Sequence, residues 1–240
     1  MIVLLLAALP AGLLAGCHAE RPEPRVISPF PDNTTIAVAP VLNFSGEFSL
    51  DPVKAADLLA SELADVQCVS VLPVNRVMAV LAMQNKRQIE SPEHALLVAE
   101  AVGADAIIVA GITEYDPYIP VTGVALQLYT LPVRRVQKIN PVTLARQARP
   151  VVLGEMTDPL RPKAQVQMVY NGMHEDVVEA VEHYAKKRND ESNPLGWRQY
   201  LKVQSLYLRF CWHDAVERLM DQERARQAVV ADDQEMEVLP

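Results

Sequence analysis

At 240 residues, half of them apolar and 22% charged, the chain is long enough to bury a core and to carry an appendage beside one domain. Its formal net charge of −8, with no basic patch to neutralise phosphates, argues against nucleic acid as a partner. Three cysteines are too few for a disulfide scaffold.

The chain opens on an apolar run. From Met1 to Gly16 every residue is apolar, Gly or Pro. Sixteen residues at about 1.5 Å of helical rise fall short of a ~30 Å hydrocarbon core, so this is no spanning helix. The stretch "LLAGC" resembles a bacterial lipobox, with small Ala15 and Gly16 directly before Cys17. Small side chains let a peptidase approach the backbone, and the thiol accepts a diacylglyceryl group. The resemblance implies a lipoprotein signal peptide over residues 1–16 and lipidation of Cys17, with palmitate-like chains anchoring the protein in a lipid bilayer. No Lys or Arg precedes the apolar run, a departure from the positive n-region of secretory signals. Residues 17–33 read as a polar, Pro-rich tether. By analogy with lipoprotein sorting, His18 in place of Asp points to the outer membrane, with the body of the protein facing the periplasm. Cys68 and Cys211 lie in apolar stretches, and the sequence leaves open whether they pair in an oxidising compartment.

Thr34 to Val41 is β-branched and apolar without a polar break, which predicts a central strand that Pro40 ends. It empties into the turn-rich "NFSGEFSLDP". Asp51 then caps a helix with Pro52 in its first turn and an apolar stripe at Ala55, Leu58, Leu59 and Leu63. A second strand is expected over Gln67 to Pro73, then a short helix capped by Asn75. Ser91, Pro92 and Glu93 open another helix that Gly103 closes. "DAIIVAGITEYDPY" predicts a strand that turns near "DPYIPVTG" into "VALQLYT", where Val124, Leu126 and Leu128 share one face and Ala125, Gln127 and Tyr129 the other. The order strand, helix, strand, helix, helix, strand, strand over residues 34–131 predicts an α/β fold, a mixed sheet with helices packed on it.

Residues 132–165 contain five prolines without sustained periodicity and read as an irregular linker, with one short strand at "VVLGE". A helical extension is expected over 166–220, starting at Val166. Within it, one helix from Trp197 to Met220 places Trp197, Leu201, Leu208, Trp212 and Leu219 on one stripe, widened by Tyr200, Tyr207 and Cys211. Residues 221–240 hold half of the net negative charge and read as a helix end with a frayed acidic tail.

No phosphate loop, nucleophile elbow, HExxH or CxxC occurs, so the sequence assigns no catalytic residue, no metal ligand and no cofactor. Cys211 and His213 in "CWH" stand about 200° apart on a helix and read as core, not as ligands of one ion. His174, Glu175, Asp176, Glu179, Glu182 and His183 read as a solvated helix face. Asp105 and Asp116 flank a strand and read as turn or capping residues.

"IAVAPVLNFSG", "VSVLPVNRVMAVL" and "VAEAVGADAIIVAGITEYDPY" together resemble the envelope-lipoprotein superfamily that includes the curli secretion subunit CsgG, the penicillin-binding-protein activator LpoB and the N-terminal domain of TolB. The resemblance spans residues 34–131, and the chain lacks the two long alternating hairpins of the pore-forming branch. It implies a non-enzymatic bacterial cell-envelope lipoprotein, a protein-binding or assembly module whose partner is another envelope protein. The alternative is an envelope hydrolase using acidic and His residues at a domain interface. Trp197, Tyr200 and Tyr207 are the candidate protein-binding residues, since Trp and Tyr dominate interface hot spots. The competing reading packs that helix into the chain's own core.

Overall fold

A computed structural model describes residues 26–30, 32–132, 160–188 and 194–237, with side chains to 229. Cys17 and the signal peptide, the tether up to residue 25, the strand expected at 151–155 and most of the Pro-rich linker lie outside the described residues.

Among the described residues, six strands form one mixed sheet: β1 (Thr34–Val38), β2 (Leu42–Asn43), β3 (Val69–Leu72), β4 (Ala106–Tyr115), β5 (Val121–Thr130) and β6 (Ala164–Asn171). Their order is β3-β1-β4-β5-β6, and β2 also pairs with β4. β1 is parallel to β3 and β4, whereas β5 is antiparallel to both β4 and β6. The α/β class and the β4–β5 hairpin follow the sequence expectation.

Helices α1 (Pro52–Leu63), α2 (Val74–Met83) and α3 (Pro92–Val102) alternate with the first strands. The Asp51 carboxylate accepts from the amides of Val53 and Lys54, filling two donors that the first turn of α1 leaves open. Ser91 does the same for α3 through His94 N, and Gly103 closes that helix in the left-handed region, at φ +75°. Asn75 is not a cap: α2 starts at Val74, Pro73 precedes it, and no side chain caps it.

Beyond residue 160 the sequence expectation is corrected at three places. Residues from Val166 are not helical; "AQVQMVYN" is β6, its apolar and polar positions alternating against β5. Helix α4 begins only at Glu175 and runs to Lys187. The helix expected as one piece from Trp197 is broken into a 3₁₀ turn (Gly196–Leu201) and α5 (Gln204–Glu237), and α5 continues through the residues read as a frayed tail.

The sheet is covered on both faces. α1, α4 and α5 pack on one, with Leu59, Leu63, Val124, Leu126, Leu128, Trp212 and Leu219 in a common core. α2 and α3 cover the other through Val77, Leu81, Val98 and Ala99, against Ile107 and Tyr129. Val124, Leu126 and Leu128 thus face inward as expected. Cys211 is buried in the first core while Cys68 is exposed, and both are free thiols.

Candidate interaction surface

The topology brings three connections to one end of the sheet. β1, β4 and β6 run in the same direction, so the loop after β2, the β4–β5 turn and the β6–α4 turn all emerge where those strands finish. The first turns of α1 and α4 directly follow two of them.

Each connection is braced by its own polar residues. In the loop after β2, Asn43 Nδ2 donates to the Glu47 carbonyl at 2.8 Å and Asn43 Oδ1 accepts from Ser45. Glu47 Oε1 accepts from Ser49 N, and that backbone donor is the main reason its carboxyl is held below the ordinary value. In the β4–β5 turn, Asp116 Oδ1 accepts from Tyr118 N at 2.7 Å and Ile119 N at 3.1 Å, the turn role its position predicts. α5 adds a clamp from outside, since Gln204 Nε2 donates to the carbonyls of Asp116 (2.7 Å) and Ile119 (2.9 Å). Gly172 joins the two turns: its amide donates to Pro120 O, and a Cβ there would lie 2.8 Å from the Pro120 ring and 2.9 Å from Leu201.

These braced loops hold large apolar side chains in water. Phe48 is 101% exposed, Tyr118 92%, Met173 74% and Phe44 65%. Ile119 and Val203 are exposed beside them. Two of the chain's four phenylalanines therefore stand at one end of the molecule, in a protein that is 5% aromatic. Other exposed apolar residues stand on helices, among them Met83 on α2 and Leu97 on α3. The first two loops adjoin each other through the pairing of β2 with β4, where Phe44 N donates to Ile112 O at 2.8 Å. The surface was legible in part. Two Phe in "NFSGEFSLDP" and Tyr-Ile in "DPYIP" are apolar residues in turns, where no strand or helix periodicity directs them to a core.

The residues singled out from sequence lie elsewhere. Tyr200 and Tyr207 are each 1% exposed, so both rings belong to the chain's own core and are not on the surface. Tyr200 meets Tyr184 edge-on at 5.3 Å. Trp197 is half-buried against the same core, with the Arg198 guanidinium 4.6 Å above its ring. His174, Glu175, Asp176, Glu179 and His183 are exposed and Glu182 half-buried, as a solvated face requires. Asp105 Oδ2 accepts from Thr35 N at 2.8 Å and fastens the entry of β4 to β1.

One acidic and His pair does converge, and sequence reasoning missed half of it. His213 Nδ1 lies 3.5 Å from Glu62, a residue of α1 whose side chain is fully buried. Arg209 Nε donates to Glu62 Oε1 at 2.9 Å, and Arg188 pairs with both Glu62 and Asp65. Burial alone would raise the Glu62 carboxyl, but His213 and the two guanidinium charges outweigh it and hold the group below its ordinary value. A carboxylate kept ionised by two arginines, out of solvent, fastens α1 to α4 and α5. Among the described residues, no three His, Cys, Asp or Glu converge to hold a metal ion, and no helix is long and apolar enough to cross a membrane.

No family model matches the chain, and no curated protein matches it. Solved structures do. The LpoB C-terminal domain from Salmonella enterica is 17% identical, covering 41% of this chain and 73% of that one, with a TM-score of 0.35. Lipoprotein GNA1162 from Neisseria meningitidis is 14% identical over 68% of this chain and 99% of that one, at a TM-score of 0.40. The hypothetical protein CT253 from Chlamydia trachomatis is 14% identical over 78% and 98%, at 0.35. LpoB is among the proteins that the sequence resemblance names.

Proposed function

We propose that this chain is a non-enzymatic lipoprotein of the bacterial cell envelope that docks another envelope protein on the braced apolar loops at the end of its sheet. The observation that carries the reading is the concentration of exposed Phe44, Phe48, Tyr118 and Met173 on loops fixed by side-chain hydrogen bonds. Rigid, exposed aromatics at one site mark an interaction surface, because they bury large area at little entropic cost. The lipobox-like "LLAGC" supplies the anchor at Cys17, and the outer membrane with the fold facing the periplasm is the proposed address. The Glu62 knot does not serve the hydrolase alternative, since its carboxylate is tied to two arginines and its His213 neighbour is buried.

Three measurements test this. Clickable palmitate should label the wild-type protein and not Cys17→Ala, which should leave the membrane; equal labelling refutes the anchor, and a sucrose gradient in which the protein follows inner-membrane markers refutes the address. Phe48→Ser with Tyr118→Ser should abolish crosslinks to an envelope protein while Tm stays unchanged. Undiminished crosslinks would refute the docking surface.

A further inference from the structure

The geometry points to a partner protein whose contact surface is apolar and bordered by Lys and Arg, met on the side of this molecule that faces away from its own membrane anchor. The inference rests on the docking reading and adds the chemistry and direction of the partner. Charge is the first ground. The connections that carry the exposed aromatics, the last residues of β4 and the first turns of α1 and α4 hold Glu47, Asp51, Glu114, Asp116, Glu175 and Asp176 against Lys54, while Arg198 and Lys202 lie at the 3₁₀ turn that meets Gly172 through Leu201. An acidic border repels anionic headgroups and favours a cationic one, both in steering the encounter and in fixing its register.

Direction is the second ground. The chain enters the fold at the opposite end of the sheet: the Val26 carbonyl accepts from Gln67 N, just before β3, and Arg224 donates to Ile27 O. From Cys17 to Val26 the chain can span at most about 30 Å. The ten residues of β4 separate the two ends by roughly 33 Å. With the chain entering at Val26, a bilayer holding Cys17 lies on the side of the entry end, and the Phe48 loop stands farther from it by roughly the length of β4. The aromatics therefore point into the periplasmic space and meet a protein, not the lipid of the anchor.

The test uses the full chain in intact cells, with photoreactive benzoylphenylalanine in place of Phe48 and, as a control, in place of Met83. The expected result is an adduct from position 48 alone, mapped to a peptide of another protein that combines apolar residues with Lys or Arg. Reversing the border with Glu114→Lys and Glu175→Lys should lower its yield about tenfold at unchanged Tm. A protein adduct that is indifferent to the reversal, or whose peptide carries no cations, overturns the cationic partner and leaves docking standing. Adducts with lipid or with a second copy of this chain overturn the direction and the partner class. Absence of any adduct at position 48 overturns both this inference and the docking reading.

Discussion

The face of the sheet under α2 and α3 and the face under α1, α4 and α5 hold different kinds of core. Under α2 and α3 the buried residues are mostly small or aliphatic, Ala37, Ala39, Ala95, Ala99, Val77 and Val98, with Tyr129 the one aromatic among the buried members of this described cluster. Small side chains let two short helices settle close to parallel strands. The other face buries Trp212, Tyr200, Tyr207 and Phe210 together with the ionised Glu62. Trp212 reaches across to donate to the Ala55 carbonyl of α1 at 3.1 Å, and the Tyr170 hydroxyl of β6 donates to Asp214 of α5. The difference shows that the C-terminal residues are no appendage: α5 supplies the bulk that this face lacks, and the Glu62 knot fixes where it lies.

The largest effect is expected at that knot. Glu62→Ala leaves Arg209 and Arg188 facing a buried void and should cost about 3–5 kcal/mol by denaturant unfolding, far more than loss of an exposed pair such as Lys86–Glu90. A loss below ~1 kcal/mol would mean that the knot does not hold the face together. The knot also has a pH signature. Glu62 titrates below its ordinary value of 4.5 in the folded protein, so its stabilisation is complete above that value and fades as pH falls through the lower folded one. Glu62→Gln should flatten the fall of stability in acid; an unchanged slope would assign acid sensitivity to other carboxylates.

Next in size is the contrast between the faces themselves. Trp212→Ala should cost about 3–5 kcal/mol, whereas Val98→Ala under α3 removes two methylene-sized groups at ~0.8 kcal/mol each, or about 1.6 kcal/mol. Equal losses would erase the distinction. Within β5, Leu126→Ala should cost about 2–5 kcal/mol. Gln127→Ala should change stability much less, because that half-exposed side chain loses only its hydrogen bonds to Gln165 and Tyr129. Similar midpoint shifts for the two would overturn the assigned faces. The smallest effect is expected at the loop end, where Phe48→Ser should alter stability by no more than about 0.5 kcal/mol, since the ring touches water on all sides. A large loss there would place Phe48 in the fold and not on the interaction surface.

What the sequence determined on its own were features decided within one turn or one strand. Asp51 and Ser91 read as caps because their oxygens reach amides two or three residues ahead, Gly103 as a helix end because only its missing Cβ makes φ +75° cheap, and Val124, Leu126 and Leu128 as one face because side chains alternate along any strand. The tertiary structure alone decided the rest. "QVQMVYN" fits either a helix or a strand locally, and it becomes β6 because β5 offers it an open edge to pair with. Tyr200 reads as a candidate for a surface until Tyr184 of α4 meets its ring, and Tyr207 until it is buried beside Phe210. Glu62 in "LLASELAD" looks like any solvated helix carboxylate; its burial depends on Arg188 and Arg209, more than 120 residues away along the chain. The apolar loops at the end of the sheet become one surface only because the strand directions bring residues 44, 118 and 173 to the same end, a matter of topology that no local pattern encodes.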